Sequence, residues 1–389
     1  MKKTLKDFNF NGKRALVRVD FNIPISDDGS YDDFRIRSAL KTINYLIDNN
    51  ARVILMSHFG RPKGEYNEKY SLKKVSEILE KLLGKSVVFS ASKDVVDENV
   101  YNDSMNLKDG DVMLIENTRF VKGEEKNDPE FSKKLASLGY IFINDAFGTA
   151  HRAHASNVGV TEFLPSCAGF LLEDEIKYIN TALEAPKRPF IAILGGFKVS
   201  DKIEIIKFLL EKVDKCLIGG AMANTFLAAK GIDVKNSAYE SDKIDLALDL
   251  LKKYQDKIVL PVDVVTINDL GEINKYSLSQ SMNDSDMIYD IGRETIDLYS
   301  NIIKDANTVI WNGPMGVFEK EEFRDGTFGI AKALADSNCI SIVGGGESAS
   351  ALEISGYKDS VTHVSTGGGA FLEMIEGKVL PGIDALDEK

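Results

Sequence analysis

Short apolar runs alternate with longer amphipathic stretches along the whole chain, and this alternation restricts the fold more than any other feature of the sequence. The runs are rich in Val and Ile and continuously apolar, as expected of parallel strands buried on both faces. The stretches between them have the apolar spacing of helices, so the pattern predicts βαβ units and doubly wound parallel sheets. We predict strands at 15–19, 52–56, 111–115, 140–144, 190–194, 216–218, 257–260, 308–311 and 339–343, and helices at 36–48, 72–83, 130–138, 203–213, 242–254 and 329–335.

The length of the chain indicates two domains, because 389 residues exceed the size at which one hydrophobic core usually stops growing. The predicted boundary is a helix, since segment 171–185 has a helical pattern and is followed by Pro186 and Pro189. We therefore predict an α/β fold of two doubly wound, Rossmann-like domains, 1–170 and 186–377, joined by the helical hinge 171–185. Residues 378–389 are too few to form a unit of their own.

The charge and cysteine content exclude several classes of protein. Lys and Arg number 48 against 60 Asp and Glu, a net charge of −12, which disfavours binding to nucleic acids or anionic membranes. The three cysteines are far apart and form no C-x-x-C pair, which argues against a disulfide framework or zinc cluster and fits a reducing compartment. No signal-peptide pattern or membrane-spanning run is present. A cytoplasmic protein is the expectation.

The loops of the first half are cationic for so acidic a chain. Ligands of open α/β sheets bind at the carboxyl ends of the strands, and three such ends and one helix start each carry an arginine: Arg35, Arg61, Arg119 and Arg152. The planar guanidinium group suits phosphate and carboxylate, so the four together predict an anion-binding basin. A metal pair at His151 and His154 is disfavoured, because no third ligand lies at a suitable spacing.

The second half carries glycine-rich turns after its predicted strands. Gly195-Gly196 is followed by Lys198 and Lys202 at the start of a helix, and further glycine clusters lie at 219–220, 313–316, 344–346 and 367–369. Glycine allows the backbone to approach a ligand closely, and helix starts offer free N–H groups, so these turns favour a nucleotide site. Neither G-x-x-x-x-G-K-[ST] nor G-x-G-x-x-G occurs, which excludes a P-loop and weakens a dinucleotide site.

These segments, in this order, closely resemble the phosphoglycerate kinase family. The resemblance runs from 18–24 (RVDFNIP) through 57–64 (SHFGRPKG), 198–202 (KVSDK) and 311–319 (WNGPMGVFE) to 380–382 (LPG), which is essentially the whole chain. It implies a monomeric glycolytic phosphotransferase with a carboxyl group as acceptor. The implied reaction moves a phosphoryl group, with Mg²⁺, from 1,3-bisphosphoglycerate to ADP, giving 3-phosphoglycerate and ATP. It also implies an active site in the interdomain cleft, domain closure, and a tail 378–389 that returns to the N-terminal domain.

The resemblance also implies the roles of individual residues. The glycerate ligand would be held by Asp20, Phe21, Asn22, Arg35, His58, Phe59, Gly60, Arg61, Arg119 and Arg152. The nucleotide would be held by Lys202, Gly292, Glu319, Gly345, Gly346, Glu347 and Ser348, with Glu347 also contacting the metal. Catalysis would fall to Arg35, Lys198 and the helix start at Gly368 and Gly369. In-line transfer needs no general base, because the acceptor carboxylate is already ionised at neutral pH.

Four positions depart from the family pattern. Phe197 replaces a small residue, Glu347 replaces Asp, Phe371 replaces Ser, and Arg293-Glu294 replaces Pro-Lys. None of them removes a cation assigned to phosphate, so activity is expected to survive.

Two other functions are weighed against this one. A nicotinamide-dependent oxidoreductase requires a glycine fingerprint that is missing. A non-catalytic descendant of the kinase predicts loss of Lys198, Lys202, Arg35 or Arg152, and all four are present.

Overall fold

The structure, a computed structural model, describes residues 1–26 and 28–389. It divides into two compact units, and the division falls inside helix α5 (Phe170–Glu184). Unit 1 comprises Met1–Lys177 and Val379–Lys389, and unit 2 comprises Tyr178–Lys378. None of the helices within the described ranges combines the length and apolar character needed to cross a bilayer.

Unit 1 is built on a six-stranded parallel sheet in the order β3-β4-β2-β1-β5-β6. The chain winds outward in opposite directions from β1 and β5, so the carboxyl ends of these neighbours form a switch point. Helices cover the sheet, and nearly every strand residue is buried. The strands are β1 (Arg14–Val19), β2 (Arg52–Met56), β3 (Val87–Ser90), β4 (Val112–Ile115), β5 (Ile141–Asp145) and β6 (Ser166–Ala168); the helices are α1 (Phe34–Asp48), α2 (Lys73–Leu83), α3 (Glu98–Asn106) and α4 (Pro129–Ser137).

Unit 2 contains a second six-stranded parallel sheet, in the order β15-β14-β13-β7-β8-β9, and a small antiparallel sheet, β11-β10-β12. Here the switch point lies between β7 and β13. The parallel strands are β7 (Phe190–Leu194), β8 (Lys215–Ile218), β9 (Ile258–Val259), β13 (Thr308–Asn312), β14 (Ile340–Gly344) and β15 (His363–Val364). The antiparallel strands are β10 (Asp263–Ile267), β11 (Ile273–Ser277) and β12 (Met287–Ile291). The helices are α6 (Ile203–Lys212), α7 (Gly220–Ala229), α8 (Ile244–Lys253), α9 (Arg293–Lys304), α10 (Asp325–Ala335), α11 (Gly346–Ser355) and α12 (Gly368–Ile375).

Local sequence signals explain where several helices begin and end. Asp128 accepts a hydrogen bond from the backbone N–H of Phe131 and has Pro129 after it, so it caps α4. Gly84 ends α2 in a left-handed conformation with φ of 61°, which glycine adopts readily. The start of α5 is held by Asp145 at the end of β5, whose carboxylate accepts hydrogen bonds from two backbone N–H groups of that helix.

The two chain ends meet in unit 1. The backbone N–H of Lys389 donates to the carbonyl of Met1 at 2.9 Å, and the short helix α13 (Pro381–Asp384) packs on the loop after β5. There the backbone N–H of Gly382 donates to the carbonyl of Ala150 at 2.8 Å, and the side chain of Asn144 donates to the carbonyl of Gly382 at 2.8 Å. A Cβ at Gly382 would lie 3.0 Å from Cα of Ala150, so a side chain here would be tightly packed against that loop.

The predicted α/β class with parallel sheets in both halves is confirmed. Two parallel strands, β3 and β6, and the whole antiparallel sheet were not predicted from the sequence, nor were α3, α7, α9 and α11 as helices. The run at 257–260 was predicted as a four-residue strand, but only Ile258 and Val259 pair with β8.

Candidate active site

The basin predicted in the first half lies at the carboxyl edge of the sheet of unit 1. Asp20 to Asn22 follow β1, His58 to Arg61 follow β2, Arg119 follows β4 and Arg152 follows β5, while Arg35 lies in the first turn of α1. These strands are neighbours in the sheet, and β1 and β5 flank the switch point. The fold therefore gathers residues that are up to 132 positions apart in sequence, Asp20 and Arg152, at one edge.

Arg35 is oriented by the loop after β1. Its Nη1 donates to the carbonyl of Asn22 at 2.9 Å and lies 3.3 Å from the carboxylate of Asp20. Its side chain remains about one-third exposed, so the rest of the guanidinium group is open to a ligand. The Asn22 side chain in turn accepts a hydrogen bond from the backbone N–H of Gly60 at 2.8 Å, which ties the loops after β1 and β2 together.

His58 is buried at the centre of the arginines. Burial, together with the charges of Arg18, Arg119, Arg35 and Arg152, holds the pKa of His58 well below its usual range, so the ring is neutral. Nη2 of Arg18 lies 3.2 Å from Nδ1 of His58. Because a guanidinium group can only donate, Nδ1 must accept and the ring proton resides on Nε2. His58 therefore offers a neutral N–H donor to an anion.

Arg18 belongs to a buried network that the sequence analysis did not single out. It is fully buried in β1, and its Nε donates to the hydroxyl of Ser156 at 2.8 Å. That hydroxyl donates to the carboxylate of Glu124 at 2.5 Å, and Glu124 is also fully buried. Burial lowers the pKa of Arg18, while the charges of Glu124 and Asp20 oppose this change. The network fixes a permanent cation beneath His58.

The remaining predicted residues of the basin differ in exposure. Arg119 is 5% exposed, and its Nη1 donates to the carbonyl of Gly60 at 2.9 Å. Nε of Arg152 donates to Nε2 of His151 at 3.2 Å. Arg61 lies on the exposed part of the loop after β2. Phe21 is fully buried and holds its loop by donating its backbone N–H to Ser57, whereas Phe59 is half-buried and held by Asn117.

His151 and His154 lie on the loop after β5, where the sequence disfavours a metal pair. His154 is buried, and burial with the neighbouring charges of Arg18, Arg119 and Arg152 lowers its pKa to about 3. Within residues 1–26 and 28–389, no three His, Cys, Asp or Glu side chains are grouped so that they could hold a metal ion.

In unit 2 the glycine turns at the ends of β7 and β13 pack directly on each other. A Cβ on Gly195 would lie 2.0 Å from the carbonyl oxygen of Pro314, and one on Gly313 would lie 2.3 Å from the carbonyl oxygen of Gly195. Gly196 and Gly313 have φ of 99° and 93°, which side-chain-bearing residues rarely adopt. The turns thus require glycine, and this leaves their backbone accessible to a ligand.

Lys202 projects into these turns. Its Nζ donates to the carbonyl of Gly195 at 2.7 Å. Burial lowers the pKa of Lys202 to about 8, although Glu347 and Asp201 oppose the change. Lys198, by contrast, is exposed on the same turn.

A cavity of about 240 Å³ opens beside Gly196 and Gly220 in unit 2. One part of its wall is apolar, and Glu319 and Glu347 contribute carboxylates to the wall. It is smaller than the roughly 300–1,000 Å³ typical of sites that enclose drug-sized ligands, so it suits part of a nucleotide rather than all of it. The apolar residues of its wall include Leu227, Pro261, Val264, Ile288 and Val317.

The other residues that were predicted to bind the nucleotide make hydrogen bonds, helix starts or packing contacts within unit 2. The hydroxyl of Ser348 accepts a hydrogen bond from the backbone N–H of Gly313 at 2.8 Å. Gly345 and Gly346 begin α11, and Gly368 and Gly369 begin α12. Gly292 precedes α9, next to Ile291 of the cavity wall, and packs on the carboxylate of Asp263.

The structure accounts for one departure from the family pattern. Phe371 is fully buried in α12, and a Cβ on Gly344 would lie 2.2 Å from its ring. The ring therefore packs beneath the end of β14, in space left by the glycine. Nothing in the structure explains Arg293-Glu294 beyond the ion pair of Arg293 with Asp297.

The lowered pKa of Lys202 leads to a pH prediction. A bound polyphosphate favours the charged amine and so raises this pKa, which means that binding takes up a proton near pH 8 to 9. Affinity for ADP should therefore fall as pH rises from about 8 to 9. Titration calorimetry in two buffers of different ionisation enthalpy measures the proton uptake. Lys202→Arg keeps its charge throughout this range and should abolish the uptake, and persistence of the uptake in that variant would assign it to another group.

Comparison with known proteins places the chain in a family. The family model described as phosphoglycerate kinase matches residues 5–378. The chain is 56% identical to the phosphoglycerate kinase of Finegoldia magna over the full length of both. It is 51% identical to that of Clostridium perfringens, over all of this chain and 99% of the relative.

Solved structures agree with the sequence relatives. The structure of phosphoglycerate kinase from Coxiella burnetii superposes with a TM-score of 0.89 at 38% identity, covering 99% of this chain and 98% of that one. The enzyme from Pyrococcus horikoshii gives 0.87 at 35% identity, covering 98% of each chain. The predicted resemblance is confirmed, and the chain belongs to the phosphoglycerate kinase family.

Proposed function

We propose that the chain catalyses the reversible, Mg²⁺-dependent transfer of a phosphoryl group from 1,3-bisphosphoglycerate to ADP, giving 3-phosphoglycerate and ATP in glycolysis. Unit 1 holds the glycerate ligand and unit 2 the nucleotide. The observation that carries this is the gathering of Arg18, Arg35, Arg119 and Arg152 around one neutral histidine in an acidic chain. Such a basin selects a small ligand with several negative charges. We place the enzyme in the cytoplasm as a monomer.

Different residues of the basin bind different parts of the ligand. The exposed Arg61, with Arg119 and Arg152, binds the phosphate, and His58 donates Nε2–H to an anionic oxygen. Arg35, held by Asp20 and Asn22, contacts the reacting carboxyl group. That carboxylate is ionised at neutral pH and attacks without a general base. Positioning and charge stabilisation therefore account for most of the catalysis.

In unit 2 the cations and helix starts act on the phosphates. Lys202 and the backbone of Gly195-Gly196 bind the nucleotide phosphates, and the purine enters the cavity beside them. Lys198 and the N-terminus of α12, at Gly368 and Gly369, stabilise the equatorial oxygens of the moving phosphoryl group. Lys198 is exposed on its turn, so its ammonium group is accessible to a ligand.

The residues present also fit a magnesium ion carried by the nucleotide. Mg²⁺ keeps several water molecules and is held by one or two carboxylates with substrate phosphates, so a full protein cage is not required. Glu347 supplies such a carboxylate, since it is exposed at the start of α11 and lines the cavity. When bound, the ion neutralises charge on the phosphates.

Glu347→Asp tests the metal assignment. The change keeps the charge and restores the residue that the family pattern has, so activity should be held or increase up to a few-fold. Glu347→Gln removes the charge and should raise the Mg²⁺ concentration needed for half-maximal activity by about tenfold or more. Turnover as a function of Mg²⁺ concentration measures both. A large loss in Glu347→Asp would show that the surrounding residues are arranged for the longer side chain.

The reaction itself is tested by a coupled assay of the purified protein with 3-phosphoglycerate and ATP, with and without Mg²⁺. Mg²⁺-dependent turnover is expected, and glycerate lacking the phosphate serves as the control substrate because it offers nothing to the arginines. A folded protein that binds nucleotide but shows no turnover would contradict the proposal.

A further inference from the structure

Phe197 lies in the wall of the nucleotide cavity yet is 66% exposed. It is the most exposed phenylalanine among residues 1–26 and 28–389, ahead of Phe163 at 41%. The rest of the fold leaves most of this ring in water at the edge of the cavity. The ligand of the cavity is therefore the natural candidate to cover it.

The turn itself forces the ring outward. On the inner side of the turn, Gly195 contacts the carbonyl oxygen of Pro314, and a Cβ on Gly220 would lie only 2.5 Å from the backbone nitrogen of Gly196. No room remains there for a phenyl group. The side chain of Phe197 is thus directed to the open side, where it borders the cavity without filling it.

The cavity offers its ligand two chemically different surfaces. The phosphates are attracted to Lys202 and to the glycine backbone, whereas Leu227, Val264 and Ile288 provide an apolar surface. A nucleobase has flat faces that prefer apolar and aromatic neighbours. The apolar part of the cavity therefore suits a nucleobase, and Phe197 lines the same cavity.

We propose that Phe197 stacks on the purine ring of the bound nucleotide. Compared with a small side chain at this position, the ring increases the difference in affinity between nucleotides that carry different bases. The inference rests on the proposed function, because it takes the ligand of unit 2 to be a purine nucleotide. The ring acts on binding and base selection and takes no part in the transfer of the phosphoryl group. Purines overlap it more fully than pyrimidines, so they gain more from the contact.

Binding of three ligands to wild type, Phe197→Ala and Phe197→Trp tests the proposal. The ligands are ADP, CDP and inorganic tripolyphosphate, which shares the phosphates but has no base. Removing one base–aromatic stack weakens binding by roughly 5- to 100-fold, so ADP affinity of Phe197→Ala should fall about tenfold. Tripolyphosphate affinity should stay within about twofold, and the preference for ADP over CDP should shrink. Phe197→Trp should retain ADP affinity. Titration calorimetry measures all three ligands.

Leu270→Ala provides the matched control. Leu270 is an exposed apolar residue of unit 2, 79% exposed between β10 and β11, and is not part of the cavity wall, so its removal should change no affinity.

The possible results distinguish the stacking role of Phe197 from the proposed phosphoryl-transfer function. Wild-type protein that turns over 3-phosphoglycerate, with Phe197→Ala binding ADP as tightly as wild type, would overturn the stacking role and leave the function intact. Equal losses of ADP and tripolyphosphate would also overturn it, because the ring would then act through the shape of the phosphate turn. Wild-type protein that neither binds ADP nor turns over would contradict the function itself.

Discussion

Arg35→Ala should lower turnover by about a hundred- to a thousandfold while leaving ADP affinity within about twofold of wild type. We propose that the lost group is the charge that contacts the reacting carboxyl, and removing one such preorganised donor reduces kcat by roughly 10²–10³ in other enzymes. Nucleotide affinity is spared because Arg35 lies in unit 1 and the nucleotide cavity in unit 2. The coupled assay and ADP titration measure the two quantities.

Arg37 is the matched control for this change. It lies on the same helix, is 59% exposed and pairs with Asp33, so Arg37→Ala should leave turnover nearly unchanged. Arg35→Lys should recover little, since an ammonium group cannot both contact Asp20 and fork toward a carboxylate. Near-normal turnover of Arg35→Ala would remove Arg35 from the catalytic role.

Arg18→Met should lower the free energy of unfolding by about 3–5 kcal/mol, the usual effect of removing one partner of a buried charge network. The change leaves Glu124 buried without its cation and Ser156 without its donor. It also frees Nδ1 of His58, so the affinity for 3-phosphoglycerate should fall. Denaturant unfolding followed by circular dichroism measures the first effect, and titration with 3-phosphoglycerate the second.

Arg14→Met on the same strand is the control. Arg14 is half-buried and makes two long hydrogen bonds, of 3.3 and 3.4 Å, so its loss should be no more than about 1 kcal/mol. Adding Glu124→Gln to Arg18→Met removes the stranded charge and should recover part of the stability. If Arg18→Met and Arg14→Met lose the same stability, the buried network contributes nothing beyond an ordinary arginine.

The fold was predictable where the apolar residues of the sequence follow one clear pattern. The strands 52–56 and 190–194 were predicted at the bounds observed for β2 and β7, because a continuous apolar run between polar residues has only one good burial pattern. The antiparallel sheet was not predicted from the sequence. Its strand Ile273–Ser277 alternates exposed and half-buried residues, and its Asn and Lys give it the composition of a loop. Helix α7 was not predicted because it is apolar on nearly all sides and lacks the amphipathic spacing of a surface helix.

The candidate site was predictable only where its residues stand at strand ends or helix starts. Arg119 and Arg152 were singled out because they follow parallel strands, whose carboxyl ends share one edge, and Arg35 because it opens a helix. Arg18 lies inside β1, where a single charge in an apolar run gives no sign of its partners. Glu124 lies in a loop rich in charged residues, and only the fold shows that it is the fully buried one. Long-range pairing of this kind cannot be deduced from sequence spacing.

The meeting of the two chain ends in unit 1 has a consequence for synthesis on the ribosome. Domains usually fold in the order in which they emerge, N-terminal first. Here the contiguous unit 2 is fully synthesised before Gly382, which holds the loop that leads to Arg152, has been added. The basin of unit 1 therefore gains the contact between Gly382 and Ala150 only after all of unit 2 has been synthesised.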